Sequence, residues 1–243
     1  MMKDVLLTVT ENRPLTPHVY QMELQGDVSA ITAPGQFVNL KLNGLYLRRP
    51  ISVCDINGDR LTLVYKVVGK GTGQMAALPA GARLQTLTGL GNGYDLAPAG
   101  KAPLLIGGGV GVPPLYWLAR RLRAAGRRVQ VVLGFNTRQE VFYEQNFAAL
   151  GCAVTVTTAD GSCGVKGFVT DALPADYTYV YTCGPEPMLR AVHKAVATGG
   201  QFSFEERMGC GFGACMGCSC QTLAGPKRIC KDGPVLLKEE ILW

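Results

Sequence analysis

Cysteine spacing near the end of the chain is the tightest constraint on what this sequence can fold into. The stretch Cys210-Gly-Phe-Gly-Ala-Cys215-Met-Gly-Cys218-Ser-Cys220 is followed at a distance by Cys230. Taken together, Cys210, Cys215, Cys218 and Cys230 read C-x4-C-x2-C-x11-C, the plant-type spacing of four thiolates around a 2Fe-2S cluster. Two irons and two bridging sulfides need ligands converging from several directions, so three come from one tight loop and the fourth from a separate strand or turn. Gly209, Gly211, Gly213 and Gly217 suit such a loop, because glycine lets the backbone turn with positive φ and bring N–H groups close to sulfur.

A structural zinc site fits less well. Zinc ligands come as two C-x2-4-C pairs or as cysteines with histidines, whereas here only one C-x2-C is present and His18 and His193 lie far away. A disulfide framework fits less well still, since nine cysteines is an odd number and no signal-peptide pattern precedes them. We therefore expect a reducing, cytoplasmic compartment. Cys220 is either a small packed side chain or a spare ligand, with packing favoured. Cys54, Cys152, Cys163 and Cys183 share no ligand spacing, and free cysteine is commonly a buried small hydrophobe.

With 243 residues the chain has room for two domains and a large core. Hydrophobic content of 47% and charged content of 17% describe a globular protein, and 31 glycines point to many tight turns. The net charge of +6 is scattered, and its densest group, Arg120, Arg121, Arg123, Arg127 and Arg128, reads as the solvated face of one helix. No nucleic-acid module is visible. Residues 102–119 carry no charge, but four glycines and an adjacent proline pair would break a membrane-spanning helix. Strand, glycine turn and helix start explain the same letters.

Short β-rich runs at Val5–Thr10, His18–Leu24, Gln36–Leu42, Arg60–Val68 and Arg83–Thr88, separated by turn signals, predict an antiparallel barrel or sandwich. Within it, Arg49-Pro50-Ile51-Ser52 stands at a strand start, Val64-Tyr65-Lys66 follows after a turn, and Gly69 to Gly73 reads as a turn offering N–H groups through Gly71 and Thr72. A guanidinium beside a hydroxyl can hold a pyrophosphate, and so can a Gly-Thr turn. After Pro98, strands alternate with helices over Leu104–Ile106, Pro113–Ala125, Val129–Leu133, Glu140–Leu150, Ala153–Thr158, Tyr177–Tyr181, Pro185–Thr198 and Phe202–Phe204, which predicts a parallel sheet covered on both faces. Its first turn carries Gly107, Gly108, Gly109 and Gly111 and puts a proline where a dinucleotide fingerprint has its third glycine. Cys183-Gly184-Pro185 closes a later strand in the same style and belongs at the same sheet edge, where nucleotides bind.

Arg-Pro-Ile-Ser in a barrel, Gly-Gly-Gly-Val-Gly-Val-Pro-Pro and Cys-Gly-Pro in a nucleotide half together resemble the ferredoxin-NADP reductase superfamily over nearly the whole chain. With the four-cysteine tail, Gly89-Leu-Gly-Asn-Gly93, Asp160-Gly161, Lys166-Gly167 and Tyr181-Thr-Cys-Gly-Pro185, the chain resembles the electron-transfer subunits of type B dihydroorotate dehydrogenases. The resemblance implies an antiparallel FAD-binding barrel over 1–98, an NAD-binding α/β domain over 99–204 and a 2Fe-2S segment over 205–243. Flavin contacts carry over to Arg49, Pro50, Ile51, Ser52, Val64, Tyr65, Lys66, Gly71 and Thr72, and cluster ligands to Cys210, Cys215, Cys218 and Cys230. Cys183 would lie at the nicotinamide, with packing as its alternative. The implied partner is an FMN-bearing catalytic subunit oxidising dihydroorotate to orotate, two copies of each subunit assembling. Electrons would run from that FMN through cluster and FAD to NAD, in pyrimidine biosynthesis. A reductase subunit of a cytoplasmic hydrogenase or sulfide-type oxidoreductase is the rival of the same build. A cluster-switched redox sensor would need an effector module, and none is visible. NAD and NADP are not distinguished by sequence.

Overall fold

Six antiparallel strands close on themselves at the start of the chain. The computed structural model describes residues 1–243. Strands β1 (Lys3–Pro14), β2 (Val19–Gln25), β3 (Phe37–Leu40), β4 (Arg49–Asn57), β5 (Arg60–Lys66) and β6 (Arg83–Leu90) run in the barrel order β1-β2-β5-β4-β3-β6. Alternating residues fill the interior: Leu7, Val9, Met22, Leu24, Val38, Leu40, Leu61 and Leu63 are each at most 1% exposed. Burying each large apolar side chain contributes about 1.5–3 kcal/mol, and closure leaves no open sheet edge. The tightest hairpin joins β4 to β5, where Asn57 pairs with Arg60 and Gly58 takes φ +61°, the positive φ that a two-residue turn requires.

One barrel connection departs from the sequence reading. Residues 69–73 open helix α1 (Lys70–Ala76) instead of forming a free turn. Thr72 supplies the reason: its Oγ1 accepts hydrogen bonds from the N–H groups of Val68 and Gly69, at 2.9 and 3.2 Å, and so caps the helix start.

The second half alternates as expected. Its elements are β7 (Leu104–Gly108), α2 (Pro114–Ala124), β8 (Gln130–Phe135), α3 (Glu144–Ala149), β9 (Ala153–Thr158), β10 (Val165–Lys166), β11 (Val180–Cys183), α4 (Glu186–Ala195) and β12 (Gly200–Ser203). The uncharged run 102–119 thus divides into strand, glycine turn and helix, and no helix of the chain is long and apolar enough to cross a membrane. The helix expected over Glu140–Leu150 shrinks to α3. Tyr143 adopts a left-handed φ of 67° because it and Phe142 turn inward, and the Tyr143 hydroxyl accepts from Cys54 Sγ at 3.3 Å and donates to Gln21 Oε1 at 3.1 Å. Those bonds tie this half to the barrel. So does α2, whose Arg120 Nη2 donates to Asp55 Oδ1 at 2.7 Å and whose Trp117 sinks into the barrel core.

The cysteine-bearing tail adds a hairpin, β13 (Ser219–Thr222) with β14 (Gly225–Arg228), and then β15 (Val235–Leu237). β15 pairs antiparallel with β12, making a seven-stranded sheet in the order β10-β9-β8-β7-β11-β12-β15. The sequence reading has no strand there. Asn92, on the chain leaving the barrel, holds the approach to β15: its Nδ2 donates to Val235 O at 2.7 Å and its Oδ1 accepts from Val235 N at 3.1 Å. Barrel, sheet and tail share one buried apolar cluster that includes Phe37, Leu87, Ile106, Phe202, Cys218, Ile229 and Cys230.

Candidate redox site

The parallel strands fan outward in both directions from β7, so the sheet's switch point falls between β7 and β11, the usual place for a nucleotide. Cys183 at the end of β11 pairs with Gly107 at the end of β7, which brings the two glycine turns side by side. Packing there leaves no room for side chains. A methyl group on Gly111 would collide with the Cys183 carbonyl, and one on Gly108 would lie 2.5 Å from Met188 Sδ. Bare backbone therefore faces the crevice, as close approach to a pyrophosphate requires. Gly184 and Pro185 lead directly into α4. Burial pushes the Cys183 thiol up to about 12, against a smaller opposing hydrogen bond from Ser203, so it stays protonated at neutral pH.

The barrel contributes a basic corner. Of two neighbouring arginines, Arg48 is paired with Asp4 at 3.1 Å, while Arg49 has no carboxylate partner and donates from Nη1 to Leu47 O at 2.5 Å. The Arg49 guanidinium lies against Gly71, where a methyl group would overlap it. A free guanidinium at the N-terminal turn of α1 is suited to a phosphate. Pro50, Ile51 and Ser52 follow along β4 and are all part-exposed. On β5, Lys66 is exposed, whereas Val64 and Tyr65 are 4% and 2% exposed. Tyr65 stacks on Tyr20 with centroids 6.0 Å apart and donates to Asn12 Oδ1 at 3.0 Å, so its hydroxyl is committed to the core. β5 also touches the Gly109–Gly111 turn, which places the barrel strand beside the nucleotide crevice.

The four cysteines gather as two pairs. Cys210 Sγ accepts from the N–H groups of Phe212, Ala214 and Cys215 at 3.5, 3.3 and 3.5 Å, and Cys215 Sγ accepts from the Cys210 N–H at 3.5 Å. Cys218 Sγ accepts from the Cys230 N–H at 3.4 Å. Burial pushes Cys210 up, but bonds from the backbone N–H groups of Phe212 and Cys215, the Cys215 thiol and the Ala214 N–H outweigh it and bring the thiol down to about 6. Cys230 moves the other way, to about 12, through burial and then its neighbour Cys218. No three ligating side chains in the chain close on a single-ion position. Two pairs of thiols fit a two-iron group, each iron taking two, better than one tetrahedral ion. Backbone N–H groups already aimed at sulfur suit it too. Cys220, on β13, packs against the shared apolar cluster that contains Cys218 and Cys230, and burial raises its thiol.

The cysteine loop sits on the barrel. Asn39 Nδ2 on β3 donates to Cys210 O at 3.3 Å, and Asn39 itself pairs with Pro50 across the β3–β4 ladder. Phe37, one turn of the pleat away, pairs with Ser52. Cross-strand partners share a face, so Asn39, Phe37, Pro50 and Ser52 all project from the outer side of the barrel. β4 with its neighbours thus lies next to the cysteine loop on one flank, through β3, and next to the nucleotide crevice on the other, through β5. Asn92 lies within the Gly89–Gly93 motif, though its partner Val235 is 143 residues away; Asn39 carries no local motif and escapes a reading of the sequence, its partner lying 171 residues away.

A closed barrel, a parallel sheet with its crevice at the switch point and a four-thiol loop define a reductase of the ferredoxin-NADP reductase build with an added iron-sulfur segment. Residues 205–242 match the family of the iron-sulfur cluster binding domain of dihydroorotate dehydrogenase B, and residues 105–194 match the oxidoreductase NAD-binding domain. Over 259 residues the chain is 42% identical to a dihydroorotate dehydrogenase B (NAD(+)) electron transfer subunit from Bacillus mycoides, covering all of both chains. Over 251 residues it is 43% identical to the subunit of that name from Fusobacterium nucleatum, covering 96% of each. A solved NADH-dependent reduced ferredoxin-NADP oxidoreductase superposes with a TM-score of 0.89 at 28% identity, over 99% of this chain and 91% of that one. A ferredoxin NADP+ reductase from Neisseria gonorrhoeae, solved with FAD and NADP, shares the fold at a TM-score of 0.70 and 18% identity, over 79% of this chain and 90% of that one. The chain belongs to the family of electron transfer subunits of dihydroorotate dehydrogenase B.

Proposed function

We propose that this chain carries electrons away from a catalytic partner that oxidises dihydroorotate to orotate and delivers them to NAD. The observation that carries the reading is positional: the β4 strand stands between the paired thiols of residues 210–230 and the glycine turns at 107–111 and 183–185. When bound, a 2Fe-2S cluster exchanges single electrons, a nicotinamide takes two as hydride and a flavin can do both, which is why FAD belongs in the middle.

On this reading residues 1–98 hold FAD, 99–204 hold NAD and 205–243 hold the cluster. Cys210, Cys215, Cys218 and Cys230 are the metal ligands. Arg49 holds the flavin pyrophosphate together with the Gly71 and Thr72 backbone, while Pro50, Ile51, Ser52, Val64, Tyr65 and Lys66 shape the ring site. Gly107, Gly108, Gly109, Gly111, Gly184 and Pro185 receive the dinucleotide. Cys183, protonated and half-buried at the crevice, is positioned to touch the nicotinamide and to exclude water from it. The partner carries FMN, and two copies of each subunit assemble.

The test is dihydroorotate-dependent NADH formation by the complex that a tag on this chain retrieves from its native cells. Activity together with an FMN protein is the expected result. A flavin and iron-sulfur spectrum without dihydroorotate turnover would overturn the substrate and keep the reductase chemistry.

A further inference from the structure

Asn39 is an odd residue for its place. It sits mid-strand in β3, hydrogen-bonded to β4 on one side and β6 on the other, and is 1% exposed. Its neighbours Val38 and Leu40 enter the barrel core, while Asn39 points outward beneath the cysteine loop. Nδ2 donates to Cys210 O at 3.3 Å, yet Oδ1 is buried with no partner. Buried polar atoms are satisfied in the great majority of cases, so an acceptor without a partner costs the barrel stability that an apolar side chain of the same size would not cost. Gly211, at φ +79°, leaves space for the same carboxamide, and a methyl group there would strike Asn39 Nδ2.

The bond falls on one particular peptide. Cys210 O and the Gly211 N–H belong to the same planar trans unit, so fixing the carbonyl toward Asn39 turns the N–H in the opposite direction. Cys210 Sγ accepts from the N–H groups of Phe212, Ala214 and Cys215, which follow this peptide along the loop, so its orientation sets how they meet the sulfur. Donation to the carbonyl also polarises the peptide and strengthens its N–H as a donor. Hydrogen bonds to the sulfurs are among the features that set a cluster's potential.

We propose that Asn39 is a positioning residue for the iron-sulfur site: its carboxamide fixes and polarises the Cys210–Gly211 peptide and thereby raises the reduction potential of the cluster. The inference rests on the four-cysteine reading above. It assigns a redox role to a barrel residue that ligates nothing.

The test is an EPR-monitored redox titration of the intact complex carrying Asn39→Leu or Asn39→Ser, with iron, sulfide and flavin content and thermal unfolding measured alongside. Leucine is close in volume and removes both the donor and the orphan acceptor; serine is too short to reach the carbonyl. The expected result is a shift of the cluster potential to lower values in both variants, with flavin content kept and the leucine variant at least as heat-stable as the parent. Loss of cluster from both variants, with flavin retained, would overturn the tuning role, because the carboxamide would then hold the loop rather than set the potential. An unchanged potential in either loaded variant would overturn it. So would a leucine variant that unfolds at lower temperature and loses flavin, since the carboxamide would then serve the barrel. A parent complex without a 2Fe-2S signal would instead overturn the four-cysteine reading itself.

Discussion

Gly111 shows how little freedom the crevice allows. With the Cys183 carbonyl occupying the space where a side chain would start, Gly111→Ala forces the two turns apart. We expect it to cost about 1–3 kcal/mol of stability, as overpacking typically does, and to weaken NAD binding, which thermal unfolding and NAD titration would measure. Cys215 makes a contrasting prediction. It is an exposed member of the first thiol pair, so Cys215→Ser should leave the fold intact while removing the iron-sulfur spectrum and dihydroorotate-driven NAD reduction. NADH oxidation with a two-electron dye as acceptor should persist, because flavin and nicotinamide do not need the cluster for that exchange. Loss of both activities together would contradict the separate sites. These residues were legible in the sequence because their chemistry is local: a ligand spacing or a glycine run can be read within about twenty positions. Asn39 could not be read that way, since its meaning depends on Cys210, 171 residues on.

Between elements, the junction of α2 with β4 fixes how the nucleotide half meets the barrel. The Arg120–Asp55 pair is part-buried, with side chains 37% and 19% exposed. Burial raises the Asp55 carboxyl above its ordinary value and Arg120 pulls it back down. A carboxyl with a raised folded-state pKa is no burden while neutral and opposes folding as pH rises through that pKa. Arg120→Ala removes the opposing influence and leaves a buried charge with less compensation, so we expect a loss of about 1–2 kcal/mol near neutral pH. The deficit should shrink as pH falls from neutral to an acidic value below the raised pKa of that carboxyl, where it is protonated and carries no charge to compensate. Denaturant unfolding at both pH values measures it; a deficit independent of pH would contradict the assignment. The elements themselves were largely visible as periodic runs. The exceptions have physical causes: Tyr143 breaks the expected helix to reach Gln21 and Cys54, Thr72 turns a glycine-rich loop into a helix start, and β15 forms only because β12 offers it an edge.

Across the whole molecule, β4 and its neighbours lie between the cysteine loop and the glycine turns of the crevice, the surfaces proposed above to meet a partner and a dinucleotide. Around the cysteine loop, Phe212 and Met216 are 44% and 54% exposed. Large apolar side chains at such a site fit a docking face whose centre is desolvated on association. Phe212→Glu should therefore weaken assembly with the catalytic subunit by at least about tenfold while leaving flavin and iron content of the isolated chain unchanged, as calorimetry and metal analysis would report. The electron path requires one chain to hold both a flavin and a two-iron cluster. Iron, acid-labile sulfide, zinc and flavin analysis of the purified chain, with EPR after reduction, tests that most directly. Two irons, two sulfides and one FAD per chain, with the EPR signal of a reduced 2Fe-2S centre, is the predicted result; one zinc per chain with no labile sulfide would contradict it.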